Sequence, residues 1–90
     1  MEFLPLGTVL RLKNAEKRIM VIGYRPYDYH DINRYGDYSA VLYPEGLLSS
    51  EKIIIFDDDD IDHIYEYGSL DPESREFIHQ VKKETELDML

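Results

Sequence analysis

The clearest boundary in the chain lies at Asp71-Pro72, where a strand-like pattern gives way to a helical one. Before it, no apolar run is longer than four residues, the length of Ile53-Ile54-Ile55-Phe56. After it, Asp71 can cap, Pro72 suits the first helical position, and Glu73 favours the positive end of the helix dipole. Phe77, Ile78, Val81 and Thr85 then mark one face, with Lys82 and Lys83 late in the segment. This spacing predicts one helix over about 72–88.

Upstream, Val9, Arg11 and Lys13 alternate with Leu10 and Leu12, the pattern of a half-buried strand. Asn14 to Lys17 is a polar turn, and Arg18 to Tyr24 a β-rich return strand, so the two form an antiparallel hairpin. The segment from Arg25 to Tyr38 reads as a loop. Ser39 to Tyr43 is a third strand, stopped by the turn residues Pro44-Glu45-Gly46. Lys52 to Phe56 reads as a fourth strand or the approach to a helical turn, Asp57 as the cap of a short turn through Asp60, and Ile61 to Tyr67 as a last strand. The expected fold is α+β: a small twisted antiparallel sheet of four to five strands over about 4–68, followed by one C-terminal helix, in a single domain spanning 1–90.

Ninety residues bury only about 60–65% of the unfolded surface, so oligomerisation or docking on a larger partner would supplement stability. With 43% hydrophobic and 32% charged residues the balance is globular. There are no cysteines, which removes disulfides, thiol catalysis and cysteine-ligated zinc. The start, Met1 to Gly7, has neither a basic stretch nor a long apolar one, and no run approaches the roughly 20 residues of a membrane span. The expectation is a cytoplasmic protein, with signal-less export left open. A net charge of −9 repels phosphate backbones and anionic lipid, so neither nucleic acid nor membrane is an expected partner.

Enzyme signatures are missing: there is no Gly-x-Gly-x-x-Gly, P-loop or Gly-x-Ser-x-Gly elbow, and no cofactor is expected. The acidic run Asp57 to Asp62 offers Asp58, Asp60 and Asp62 at the first three spacings of a calcium loop. However, His63 replaces the required glycine and Ser69 the bidentate glutamate. A solvated capping turn is the plainer reading. His30, His63 and His79 are too scattered to form a helical ligand pair.

The tyrosines are more informative. The chain has eight and no tryptophan, and Tyr24, Tyr27, Tyr29, Tyr35 and Tyr38 crowd into one segment. Tyrosine supplies contact area at low entropic cost with a polar tip, which suits a protein interface. These five are the expected partner-binding residues. Their alternative role is an internal mini-core.

Leu4-Pro5-Leu6-Gly7-Thr8-Val9, Ile19 to Gly23, Asp37-Tyr38, Tyr43-Pro44-Glu45-Gly46, and Phe56 with Asp60-Ile61-Asp62 together resemble the small domain-of-unknown-function family 4176 of Gram-positive bacteria. The resemblance covers roughly residues 3–68. The recurrent positions are Leu6, Gly7, Gly23, Tyr43, Pro44, Glu45, Gly46, Phe56, Asp60 and Ile61, mostly turn and core residues. The resemblance implies a genetic setting beside type VII secretion components and LXG-type toxins. It implies an accessory, targeting or chaperone-like role, binding the helical N-terminal region of a toxin or a small helical companion. Two further readings stand beside it: an immunity or regulatory protein that masks a basic partner, and a divalent-cation-binding protein using the Asp57–Asp62 run. Tyr24 with Asp28, Tyr27 with Asp31, and Phe56 with Asp60 also match the aromatic-x-x-x-acid spacing of type VII export signals. A chain with so many tyrosines and acids produces such matches by chance.

Overall fold

The computed structural model describes residues 2–28 and 31–88. Seven strands and one helix follow in order: β1 (Val9–Leu12), β2 (Arg18–Tyr24), β3 (Tyr27–Asp28), β4 (Asp31–Tyr35), β5 (Tyr38–Leu42), β6 (Ile54–Phe56), β7 (Ile61–Glu66) and α1 (Pro72–Asp88). Five of the strands make an antiparallel sheet in the order β6-β5-β2-β1-β7, and β3 and β4 form a separate two-stranded sheet. This is the α+β architecture expected from the sequence, with the helix bounds as read.

The register explains which residues are inside. Leu10 lies opposite Ile19 and Ile64, Ile19 opposite Leu42, and Val21 opposite Ala40, which faces Ile54. Directly paired residues share a face of the pleat, so these rows form one apolar surface. Ile78 and Val81 of α1, with Phe3 from the N-terminal segment, close over it. Phe77, expected on the same stripe, sits mostly exposed at its border. Successive helical residues are rotated by about 100°, and a stripe centred on Ile78, Val81 and Thr85 leaves position 77 to one side.

Local chemistry sets the ends of these elements. The Asp71 carboxylate accepts the Ser74 N–H at 2.8 Å and starts the helix. Gly46 has φ 78°, in the left-handed region, and ends the turn after Tyr43-Pro44. Gly68 is required for another reason: a Cβ there would stand 1.9 Å from the Leu6 carbonyl oxygen. That contact is joined by Thr8, the only buried polar residue among those described, whose hydroxyl donates to the Pro5 carbonyl at 2.7 Å and accepts the Gly68 N–H at 3.1 Å. The N-terminal segment is thus tied to the chain that leaves β7, and α1 is launched from that tie.

The segment from Arg25 to Tyr38, expected to be a loop, is a continuation of the β2–β5 hairpin. Tyr24 pairs with Tyr38, then Arg25 adopts φ 50° and its N–H donates to the Asp37 carbonyl at 2.8 Å. Beyond this kink β3 and β4 pair Tyr27 with Tyr35 and Asp28 with Asp31. Turn-forming residues hid the pairing, because proline, glycine and aspartate are the usual signal for a loop.

Candidate functional site

The four tyrosines of this set among the described residues separate into two environments. Tyr38 has 0% exposure. Its ring stacks on Phe56 at 5.2 Å between centroids and meets Phe3 edge-on at 5.7 Å, and its hydroxyl oxygen accepts the Leu4 N–H at 3.0 Å. Tyr24 is half-buried beside it, its hydroxyl donating to the Leu4 carbonyl at 2.7 Å. The two phenols therefore satisfy both backbone groups of Leu4 and pin the N-terminal segment over the sheet. Burial raises the pKa of both hydroxyls above the ordinary tyrosine value; for Tyr38 the nearby Asp58 and Asp37 charges push the same way. These two residues belong to the core and its edge. Tyr38 therefore offers no surface to a partner, whereas Tyr24 keeps a partly exposed edge.

Tyr27 and Tyr35 behave in the opposite way. They lie directly opposite each other on β3 and β4, 69% and 72% exposed. A directly opposed cross-strand pair presents both rings on one face of the small sheet. Tyr29, the fifth residue of the set, lies outside the described residues, as does His30.

The acidic run is occupied with structural tasks. The Asp60 carboxylate reaches back to the Asp57 N–H at 2.8 Å, capping a single 3-10 turn. Asp57 accepts the Asp37 N–H at 3.1 Å, and Asp37 in turn accepts the Asp58 N–H at 2.9 Å. Asp62 pairs with Arg11 at 2.6 Å. Asp58, Asp60 and Asp62 do not converge, and among the described residues no group of three or more histidines and acids could hold a metal ion. A 3-10 turn spreads successive side chains around its axis, so the spacing that suggests a calcium loop in sequence is not its geometry in space.

Two grooves, which the sequence does not reveal, flank α1. One, of about 390 Å³, lies between the helix and β2 and is walled by Leu6, Ile22, Tyr24 and Phe77. The other, of about 510 Å³, lies between the helix, the N-terminal segment and residues 67–70. Leu6, Ile22, Phe77, Tyr67 and Leu70 are all among the exposed large apolar side chains. In the sequence, Ile22 and Phe77 are signalled only as apolar residues out of step with the period of β2 and α1, and Leu6, Tyr67 and Leu70 lie outside the strands and the helix.

The opposite sheet face carries a further cluster. The Arg18 guanidinium lies 5.0 Å from the Tyr43 ring centroid and 5.8 Å from that of Tyr65, and the His63 ring meets Tyr65 at 4.5 Å. Stacking of this kind orders the guanidinium plane, and the Arg18 charge also helps to lower the Glu45 pKa.

No helix is long and apolar enough to cross a membrane among the described residues. Neither a curated protein nor a solved structure matches the chain. The model of one family does match, over residues 3–77, so the match takes in the whole five-stranded sheet and the first turns of α1, further than the strand and turn motifs alone reach. The chain belongs to this family, the domain of unknown function DUF4176.

Proposed function

We propose that the chain is a protein-binding module and not an enzyme, acting as an accessory, targeting or chaperone-like partner of a type VII-secreted LXG toxin. The observation that carries the binding reading is the Tyr27–Tyr35 pair: two large rings set side by side and exposed, outside the main core among the described residues. Tyrosine in such a position supplies contact area that costs little ordering on binding. The secretion context rests on the family resemblance, and the occupant it implies is the helical N-terminal region of the toxin or a small helical companion. Among the described residues, the carboxyls of Glu2 and Glu45 are held below the ordinary glutamate value by hydrogen bonds and charge from Lys82 and Lys17, as surface ion pairs do.

The test is co-purification of the tagged chain with the products of its chromosomal neighbours. A near-equimolar complex with a helical toxin domain or its companion, lost on Tyr27→Ala with Tyr35→Ala while circular dichroism is unchanged, is the expected outcome. A monodisperse protein that captures none of them would overturn the reading. Binding that collapses with modest salt and neutralises a co-encoded toxin would point to an immunity role instead.

A further inference from the structure

The two grooves beside α1 differ in charge. The smaller has Arg25 and Glu84 at its rim. The larger has Ile78 in its floor, Leu70 and Tyr67 on one wall, and Arg75, His79 and Lys82 along the helix. Positions 75, 79 and 82 are four and three residues apart, so they line one flank. In a chain of net charge −9 this is a local concentration of hydrogen-bond donors beside apolar surface. Leu70 is 44% and Tyr67 62% exposed. The side chains of Arg75 and His79 make no hydrogen bond or ion pair among the described residues.

Lys82 does have a partner. It donates to the carboxylate of Glu2, an exposed side chain of the N-terminal segment. The contact lowers the Glu2 pKa and raises that of Lys82. The His79 ring also acts on Glu2, so the chain's own Glu2 stands where an incoming carboxylate would sit, between Lys82 and His79, and Arg75 makes no such contact with it.

We propose that this groove docks a segment of a protein partner that combines apolar side chains with carboxylates, the apolar groups lying on Leu70, Tyr67 and Ile78 and the acids meeting Arg75, His79 and Lys82. The Tyr27–Tyr35 surface is on another part of the molecule, so this site stands or falls independently of it. A polyanion such as an RNA or an anionic bilayer meets the whole acidic field of the protein. A short segment with one or two carboxylates meets chiefly the rim, because charges beyond about 8 Å are screened at physiological salt.

The experiment is a titration of the full-length, 15N-labelled protein with two synthetic amphipathic peptides of about twelve residues, roughly three helical turns. One has a leucine stripe flanked by glutamates, the other the same stripe flanked by lysines. The glutamate peptide is expected to move the amide signals of Leu70, Ile78 and His79. Arg75→Glu with Lys82→Glu should weaken it about tenfold or more and improve binding of the lysine peptide. Glu2→Gln should strengthen the glutamate peptide by freeing Lys82. Equal binding of both peptides, signal changes confined to other surfaces, or no response at millimolar peptide would overturn the proposal. Tyr27→Ala should leave the titration unchanged, which separates its failure from failure of the tyrosine-pair reading.

Discussion

Tyr35 and Tyr38 are three residues apart in one hairpin, yet one ring is in solvent and the other is sealed in the core. The same holds across the hairpin for Tyr27 and Tyr24, although Tyr24 is only half-buried. Up to the Tyr24–Tyr38 pair the hairpin runs beneath α1 and the N-terminal segment, and its inward residues are covered. Past the kink at Arg25 that cover is gone, and β3 and β4 carry their tyrosines outward. Arg25 itself is anchored to the helix, its guanidinium donating to the Thr85 hydroxyl at 3.2 Å. The fate of a tyrosine here is decided by the extent of the layer above the strand, not by its neighbours in sequence.

The comparison is most easily broken at Tyr38. Tyr38→Ala removes a fully buried ring stacked on Phe56 and leaves the Leu4 N–H without its acceptor. The expected cost is about 3–5 kcal/mol, read as a large fall in urea midpoint. A loss under about 1 kcal/mol would show that the ring is not a core element.

Alkaline titration sharpens it next. Burial holds the Tyr38 and Tyr24 phenols neutral to higher pH than exposed tyrosines, so the unfolded chain releases those protons first. The stability this contributes is intact below about pH 10, the ordinary tyrosine value. It is lost progressively as the pH rises from there toward the folded-state values. Melting temperature should therefore fall steeply above about pH 10. Tyr38→Phe should flatten that limb, at a cost near neutral pH of about 1–2 kcal/mol for the lost acceptor. An unchanged alkaline limb in Tyr38→Phe would assign the effect elsewhere.

The smallest expected effect is at the tip. Tyr27→Ala and Tyr35→Ala, singly, should each change stability by less than about 1 kcal/mol, as thermal denaturation would report. A larger loss would mean that the small sheet is part of the cooperative core, and the binding role assigned to its tyrosines would lose its basis.

Much of the architecture was legible in the residues because it rests on local chemistry. The cap at Asp71, proline at the first helical position and the period of Ile78, Val81 and Thr85 need only nearest neighbours to be understood. The same is true of the capped turn at Asp57 and of the break at Pro44-Glu45-Gly46. The candidate site was less legible. A tyrosine-rich, turn-rich segment looks uniform in sequence, and β3 and β4 were concealed within it. The acidic run invited a metal reading that its hydrogen bonds to backbone N–H groups and to Arg11 do not support.

What the sequence by itself determined is the helix and most of the main sheet's strands, with their order and most of their ends, but not β3 and β4. Each depends on contacts within a few residues, and alternation, helical period, caps and turns record those contacts directly. Only the tertiary structure decided which tyrosines are core and which are surface. It alone placed β1 between β2 and β7, bound Leu4 to Tyr24 and Tyr38, and gathered Arg75, His79 and Lys82 beside Leu70 and Tyr67. These outcomes depend on which distant segment covers which face, and a pattern of period two or 3.6 contains no term for that.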